Sequence, residues 1–195
     1  MSAATTVLAR GLAFPEAPRW HGARLWFTDQ HGGTVCTLSA AGHLEVAART
    51  PDLPGGLGWL PDGTPLVVLM TGRRVARITA KGLAPHADLS ALASFHCNDM
   101  LVDEAGRAYV GNFGYDLHGG APPAPAELVR VDPDGAAAVA ARGLNFPNGC
   151  ALTPDGATLL VAETFAGRIR AFPRDPDGTL GAPRPWADLG DAWPD

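Results

Sequence analysis

Three ten-residue segments of this chain align without a gap: Pro54-Gly-Gly-Leu-Gly-Trp-Leu-Pro-Asp-Gly, Cys97-Asn-Asp-Met-Leu-Val-Asp-Glu-Ala-Gly and Pro147-Asn-Gly-Cys-Ala-Leu-Thr-Pro-Asp-Gly. Each is a short apolar run closed by a tight-turn tripeptide. Pro15-Glu16 opens a shortened earlier copy, and Pro194-Asp195 opens a later one. One repeated position therefore reads Glu16, Gly55, Asn98, Asn148, Asp195. Successive copies lie about 40 to 50 residues apart, the period of propeller blades or of helical arrays. Nothing constrains the fold more than that choice.

The runs between copies decide it. Arg24–Thr28, Pro65–Leu69, Ala108–Val110 and Thr158–Ala162 are short and rich in β-branched, aromatic and aliphatic residues. A second run follows in each unit, at Thr34–Leu38, Arg74–Ile78, Glu127–Val131 and Arg168–Phe172, and several of these alternate apolar with polar residues as half-buried strands do. A further element, such as His43–Ala47 or Arg184–Leu189, completes most units. Gly (24) and Pro (18) together exceed a fifth of the chain, which favours turns between short strands, and no stretch sustains a capped 3.6 period. The unit predicted is a four-stranded meander, so the fold class is all-β, a β-propeller with about four blades in this chain. Pro61-Asp-Gly, Glu104-Ala-Gly and Pro154-Asp-Gly close the first hairpins, because proline presets φ and glycine takes φ > 0. Pro133-Asp-Gly and Pro176-Asp-Gly are expected between later strands. Ala121-Pro-Pro-Ala-Pro-Ala cannot join a central strand and reads as a surface loop.

No shift in composition marks a domain boundary, so residues 1–195 read as one partial propeller domain. A chain stopping on the opening of a new copy is expected to be truncated, since an open propeller leaves strand edges unpaired. The net charge of −5 gives no reason to expect nucleic acid or an anionic membrane as partner. Cys36, Cys97 and Cys150 are odd in number and form no C-x-x-C pair, so they read as buried apolar thiols in a reducing compartment. With no signal peptide and no apolar run of membrane length, the expectation is a cytoplasmic protein.

In a propeller the first strand of each blade lines the central channel, so residues just before or at those strands ring one mouth. Glu16, Asn98, Asn148 and Asp195 are therefore expected to converge. Two carboxylates with an amide carbonyl form a hard oxygen set suited to Ca²⁺, Mg²⁺ or Mn²⁺. Each residue alone reads equally well as a turn or a solvated side chain, Asn148 before Gly149 above all. Their recurrence at one repeat position is what distinguishes them.

Phe14-Pro-Glu-Ala-Pro-Arg-Trp, Cys97-Asn-Asp-Met-Leu-Val-Asp, Gly106-Arg-Ala-Tyr-Val-Gly-Asn, Phe146-Pro-Asn-Gly and Pro194-Asp195 together resemble the SMP-30/gluconolactonase/LRE-like family, which includes regucalcin and bacterial gluconolactonases. The resemblance implies a six-bladed propeller. It implies Glu16, Asn148 and Asp195 as ligands of one divalent metal ion, Ca²⁺ first and Zn²⁺, Mg²⁺ or Mn²⁺ as alternatives. Asp195 matches the general base, and Asn98 a residue of the substrate pocket. The implied reaction is hydrolysis of a small-molecule lactone or ester. Two departures bear on the substrate: His96 stands where sugar lactonases often carry Arg, and Asp116, after Gly111-Asn-Phe-Gly-Tyr, is the match for a further acidic pocket position. Both are candidate substrate contacts, and the exchange at His96 puts an aldonolactone in doubt. Competing readings are a non-catalytic propeller that binds a metabolite or protein, and an inactive fragment. A serine hydrolase is disfavoured by the absence of a G-x-S-x-G elbow.

Overall fold

The computed structural model describes residues 5–195. Within them, four antiparallel sheets of four strands each follow one another along the chain: β1 to β4 (Pro15–His21, Arg24–Asp29, Thr34–Ser39, Leu44–Arg49), β5 to β8 (Pro54–Trp59, Pro65–Leu69, Arg74–Thr79, Gly82–Asp88), β9 to β12 (Cys97–Val102, Ala108–Asn112, Ala126–Val131, Ala137–Leu144) and β13 to β16 (Pro147–Leu152, Thr158–Glu163, Arg168–Pro173, Arg184–Asp188). In every sheet the strands pair in sequence order, as a meander requires. The inner strands β1, β5, β9 and β13 lie side by side around a common channel. This is a four-blade propeller arrangement. Helix is confined to one 3₁₀ turn, Thr164–Ala166, and among the described residues no helix is long and apolar enough to cross a membrane.

The repeat of the sequence is the repeat of the structure. Glu16, Gly55, Asn98 and Asn148 are each the second residue of an inner strand. The tripeptides 61–63, 104–106 and 154–156 fall between the first and second strands of their blades, and Pro133-Asp-Gly and Pro176-Asp-Gly between the third and fourth. The first blade differs. His21 pairs directly with Arg24, so Gly22 and Ala23 form a two-residue connection with φ of 57° and 60°, the left-handed pair that matches strand twist. The first copy is thus short in its turn and complete in its strands. The proline loop 121–125 runs outside the sheets between β10 and β11.

The blades are held by apolar layers between neighbouring sheets. Val35, Leu57, Val67 and Ile78 join the first two blades. Leu66, Val68, Met100, Val110 and Val129 join the second and third. Tyr109, Leu128, Leu159, Val161 and Phe172 join the third and fourth. Each such side chain contributes about 1.5–3 kcal/mol when fully buried. Cys97 belongs to these layers as a small apolar residue and Cys36 to a separate cluster with Phe27 and Leu38 on the first blade; burial pushes the Cys97 thiol up to about 12.

Backbone hydrogen bonds clamp the blade mouths in a second periodicity, reinforced in two blades by buried acids. The first residue of each inner strand pairs with Asp29, Leu69, Asn112 or Glu163, the ends of the second strands. The next residue then donates its N–H back to the loop before the inner strand: Gln30 to Phe14, Met70 to Leu53, Phe113 to His96, Thr164 to Phe146. Asp29 accepts the N–H groups of Ala13 and Phe14 at 2.9 and 2.7 Å, and Glu163 that of Asn145 at 2.6 Å. These buried acids fix the loops from which the channel residues project.

Candidate functional site

All four inner strands are bulged near their start, the first strand one residue later than the others. The ladder loses register between Glu16 and Arg19, Pro54 and Leu57, Cys97 and Met100, and Pro147 and Cys150. A bulge leaves a residue unpaired and re-aims the side chains beside it, and here it leaves Gly55, Asn98 and Asn148 outside the ladder, while Glu16 still pairs with Thr28 at the edge of its bulge. Two non-glycine residues with left-handed backbone flank that position, Ala17 (φ 48°) and Phe146 (φ 55°). Such geometry costs on the order of 1–3 kcal/mol per residue and concentrates at functional sites.

The mouth opens into a cavity of about 710 Å³, and Glu16, Asn98, Asn148 and Asp195 all line it. A hydrogen-bond relay connects two of the repeated positions, Asn98 and Asn148, to the last residues. Asn98 Nδ2 donates to Asn148 Oδ1 at 2.7 Å, Asn148 Nδ2 to Thr164 Oγ1 at 3.3 Å, and the Thr164 hydroxyl to the Pro194 carbonyl at 2.8 Å. Gly149 completes the approach: a Cβ there would stand 2.6 Å from the Asp195 carbonyl carbon. Among the described residues Glu16 and Asp195 line the cavity and neither forms a salt bridge, whereas Asp99 pairs with Arg19. Burial raises the Glu16 carboxyl above its ordinary range, and the charges of Asp195 and Asp99 raise it further. Asp195 faces solvent, yet partial desolvation raises it too, Asp99 adding to the effect and Arg19 opposing it.

This donor set suits a divalent cation. Two crowded carboxylates and an amide oxygen supply hard ligands whose mutual repulsion a cation would relieve. Asn148 Oδ1 has a lone pair left beyond the one given to Asn98. Among the described residues no three His, Cys, Asp or Glu side chains gather closely enough to hold an ion by themselves, so an ion here depends on the mixed set with Asn148.

His96 lines the cavity, stacked on Phe95 with ring centroids 4.1 Å apart. Burial lowers its pKa, with Asp116 pulling the other way, so the neutral imidazole dominates near neutral pH. Asp116 itself is not among the lining residues. Its carboxylate accepts the Gly119 N–H at 2.8 Å within its own turn, and its charge reaches His96 from there. Around these groups the wall is apolar and aromatic: Phe14, Leu53, Met70, Phe113, Leu117 and Phe146.

Sequence reasoning passed over Arg19, Asp99 and Thr164. Arg19 NH2 lies 3.0 and 2.8 Å from the two Asp99 oxygens and 3.0 Å from the Met100 carbonyl. The third repeat position held the signal, for it reads Ala17, Gly56, Asp99, Gly149, one acid among small residues. Thr164 had no such marker, since it lies beyond the second strand and outside the aligned segments.

A model of the SMP-30/gluconolactonase/LRE-like region matches residues 14–195. The chain belongs to that family. Among relatives of this SMP-30/gluconolactonase member, a pentonolactonase of Haloferax volcanii is 25% identical over 173 residues, which cover 88% of the chain and 57% of the relative. The chain thus spans little more than half of that protein. A gluconolactonase from Xanthomonas campestris superposes with a TM-score of 0.80 at 26% identity, covering 96% of the chain and 67% of that structure. A regucalcin from Agrobacterium tumefaciens, described as calcium-binding, superposes with a TM-score of 0.79 at 22% identity, over 93% of the chain and 62% of its own.

Proposed function

We propose that this chain carries the site of a divalent-cation-dependent lactonase. The observation that carries the reading is the convergence of Glu16, Asn148, Asp195 and Asn98 on one cavity mouth. The pentonolactonase and gluconolactonase relatives support the lactone, and the calcium-binding regucalcin supports Ca²⁺ as the first ion to test. Glu16, Asn148 and Asp195 would hold the ion. When bound, it supplies positive charge to the lactone carbonyl and to the oxyanion that develops there.

The chain's own residues do the rest. Asp195 accepts a proton from water as the water oxygen bonds to the carbonyl carbon, and its raised pKa brings it closer to the operating pH of a general base. Cleavage of the ring C–O bond leaves an alkoxide, which takes a proton back to give the hydroxy acid. Asn98, fixed through Asn148, orients the lactone by hydrogen bonding. Neutral His96 offers a single N–H or a single lone pair, with Asp116 as an outer contact, and the Phe113–Phe146 wall excludes water. A lactone with an apolar flank suits this wall better than a fully hydroxylated one.

Hydrolysis of a panel of alkyl, aryl and sugar lactones by this chain, with Ca²⁺, Mg²⁺, Mn²⁺ or Zn²⁺, tests the proposal. Turnover is expected to rise with ion and to be lost in Glu16→Ala and Asn148→Ala. An ion-stimulated rate that survives both substitutions would overturn the assignment.

A further inference from the structure

We propose that Arg19 is a built-in counter-charge that sets the cavity mouth to accept one divalent cation. This rests on the cation reading above and assigns a role to a residue outside the ligand set. Among the described residues lining the cavity, the carboxylates are Glu16, Asp99 and Asp195, and the one Lys or Arg is Arg19. Three acids would present three negative charges. Arg19 cancels one, leaving the pair that a divalent ion neutralises.

The pairing requires a specific clearing in the fold. Arg19 leaves the β1 bulge and reaches across β5 to Asp99 on β9, spanning a blade that contributes no side chain there. Gly55 and Gly56 make the space. A Cβ on Gly56 would stand 2.8 Å from Asp99 Oδ1 and 2.2 Å from the Met100 N, and one on Gly55 would stand 2.7 Å from the Asn98 carbonyl oxygen. The glycines at the second blade's repeat position thus let the β9 backbone and the Asp99 carboxylate come close against β5, where Arg19 meets them. The guanidinium is held on both sides, by Asp99 and Met100 on one and by the Pro18 carbonyl at 3.0 Å on the other. Its side chain is only 27% exposed and that of Asp99 14%. Asp99 lines the same cavity as Glu16 and Asp195, so cancelling its charge acts on the ligands without touching them. Arg19 is a positioning residue by this argument, acting on the ligands through the charge of Asp99.

The test is titration of the full chain with Ca²⁺ and with Tb³⁺, followed by calorimetry and terbium luminescence. Arg19→Met keeps the apolar stem and removes the charge. It is expected to tighten Ca²⁺ about tenfold, between the limits for unit charges at short range in bulk water and near a protein surface, and to tighten Tb³⁺ more than Ca²⁺. Asp99→Asn is expected to weaken both ions. The double variant should return near the starting affinity, and Arg19→Lys should keep it, since the charge alone is required. If wild type binds Ca²⁺ but Arg19→Met binds it equally or less well, the counter-charge role falls while the cation site stands. If wild type binds neither ion, the cation reading falls and this one with it. Urea unfolding of each variant shows whether the fold persists, and the Arg19→Lys result decides the matter where Arg19→Met is unstable.

Discussion

Two sets of carboxylates in this molecule are placed in opposite ways. Asp103 and Glu163 are buried, and each is surrounded by donors. Asp103 accepts N–H groups of Ala105 and Arg107 at 2.9 Å each and pairs with Arg107 Nε at 2.8 Å and with Arg174. Glu163 takes Arg168 Nε at 2.7 Å, Arg170 NH2 at 3.0 Å and the Asn145 N–H at 2.6 Å. Burial alone would raise both, yet these hydrogen bonds outweigh it and hold both carboxyls below their ordinary range. Glu16 and Asp195 are less enclosed, and their carboxyls move up. The first pair is part of the scaffold, satisfied within the fold. Among the described residues the second forms no salt bridge and is poised for something brought from outside. Sign of shift, more than depth of burial, separates the scaffold acids from the proposed cation ligands.

The strongest challenge to that contrast is to remove a scaffold acid. Glu163→Ala strands two arginines and a backbone N–H at the blade mouth, and truncating one partner of a buried ion pair costs about 3–5 kcal/mol. Urea unfolding should show a loss of that size. At the other pole, Asn148→Ala should weaken Ca²⁺ binding by more than about 100-fold, beyond the range seen for outer partners of a metal site, while leaving most of the stability in place. Calorimetry and unfolding of the same sample separate the two effects. If Glu163→Ala proves neutral for stability, or Asn148→Ala unfolds the protein, the contrast is wrong.

Thr164→Val tests the boundary between the sets, because Thr164 links a site residue to the chain segment bearing Asp195. Loss of the hydroxyl breaks the bond to the Pro194 carbonyl and the one from Asn148. Ca²⁺ affinity should fall about tenfold, the lower end for an outer-shell partner, with the unfolding midpoint nearly unchanged.

The blade order and the phase of the site were legible because both depend on local rules. Turn tripeptides mark the hairpins, and Glu16, Asn98 and Asn148 recur at one place relative to them. The bulge that makes this position special left no signature, since it arises from pairing with the second strand. Arg19–Asp99 was illegible for a related reason: 80 residues separate the partners, and only the stacking of three inner strands brings them together. Asp116 shows the limit of reading position by position. Its place beside His96 is set by its own turn, which points the carboxylate at Gly119.

Glu16→Gln, with ions removed by chelator, gives the smallest effect and the most direct reading of the comparison. A carboxyl whose folded pKa is raised favours the fold while protonated, and that contribution is lost as pH rises through the folded value. For Glu16 it is fully present below the ordinary 4.5 and gone once the pH exceeds the raised folded value. Glutamine, neutral throughout, should therefore leave stability unchanged at acid pH and raise it slightly at pH 7. Asp103 behaves oppositely: its stabilisation is present above the ordinary 3.8 and disappears as pH falls through its lowered folded value. Replacing Asp103 by Asn should thus destabilise at pH 7, with the difference shrinking in acid. Saturating Ca²⁺ should reverse the order for Glu16 alone, making wild type the more stable, because the ion binds the folded state through that carboxylate. Chemical unfolding at several pH values, with and without Ca²⁺, reads all of these. A Glu16→Gln protein that is less stable than wild type at pH 7 without ions would place Glu16 with the scaffold acids.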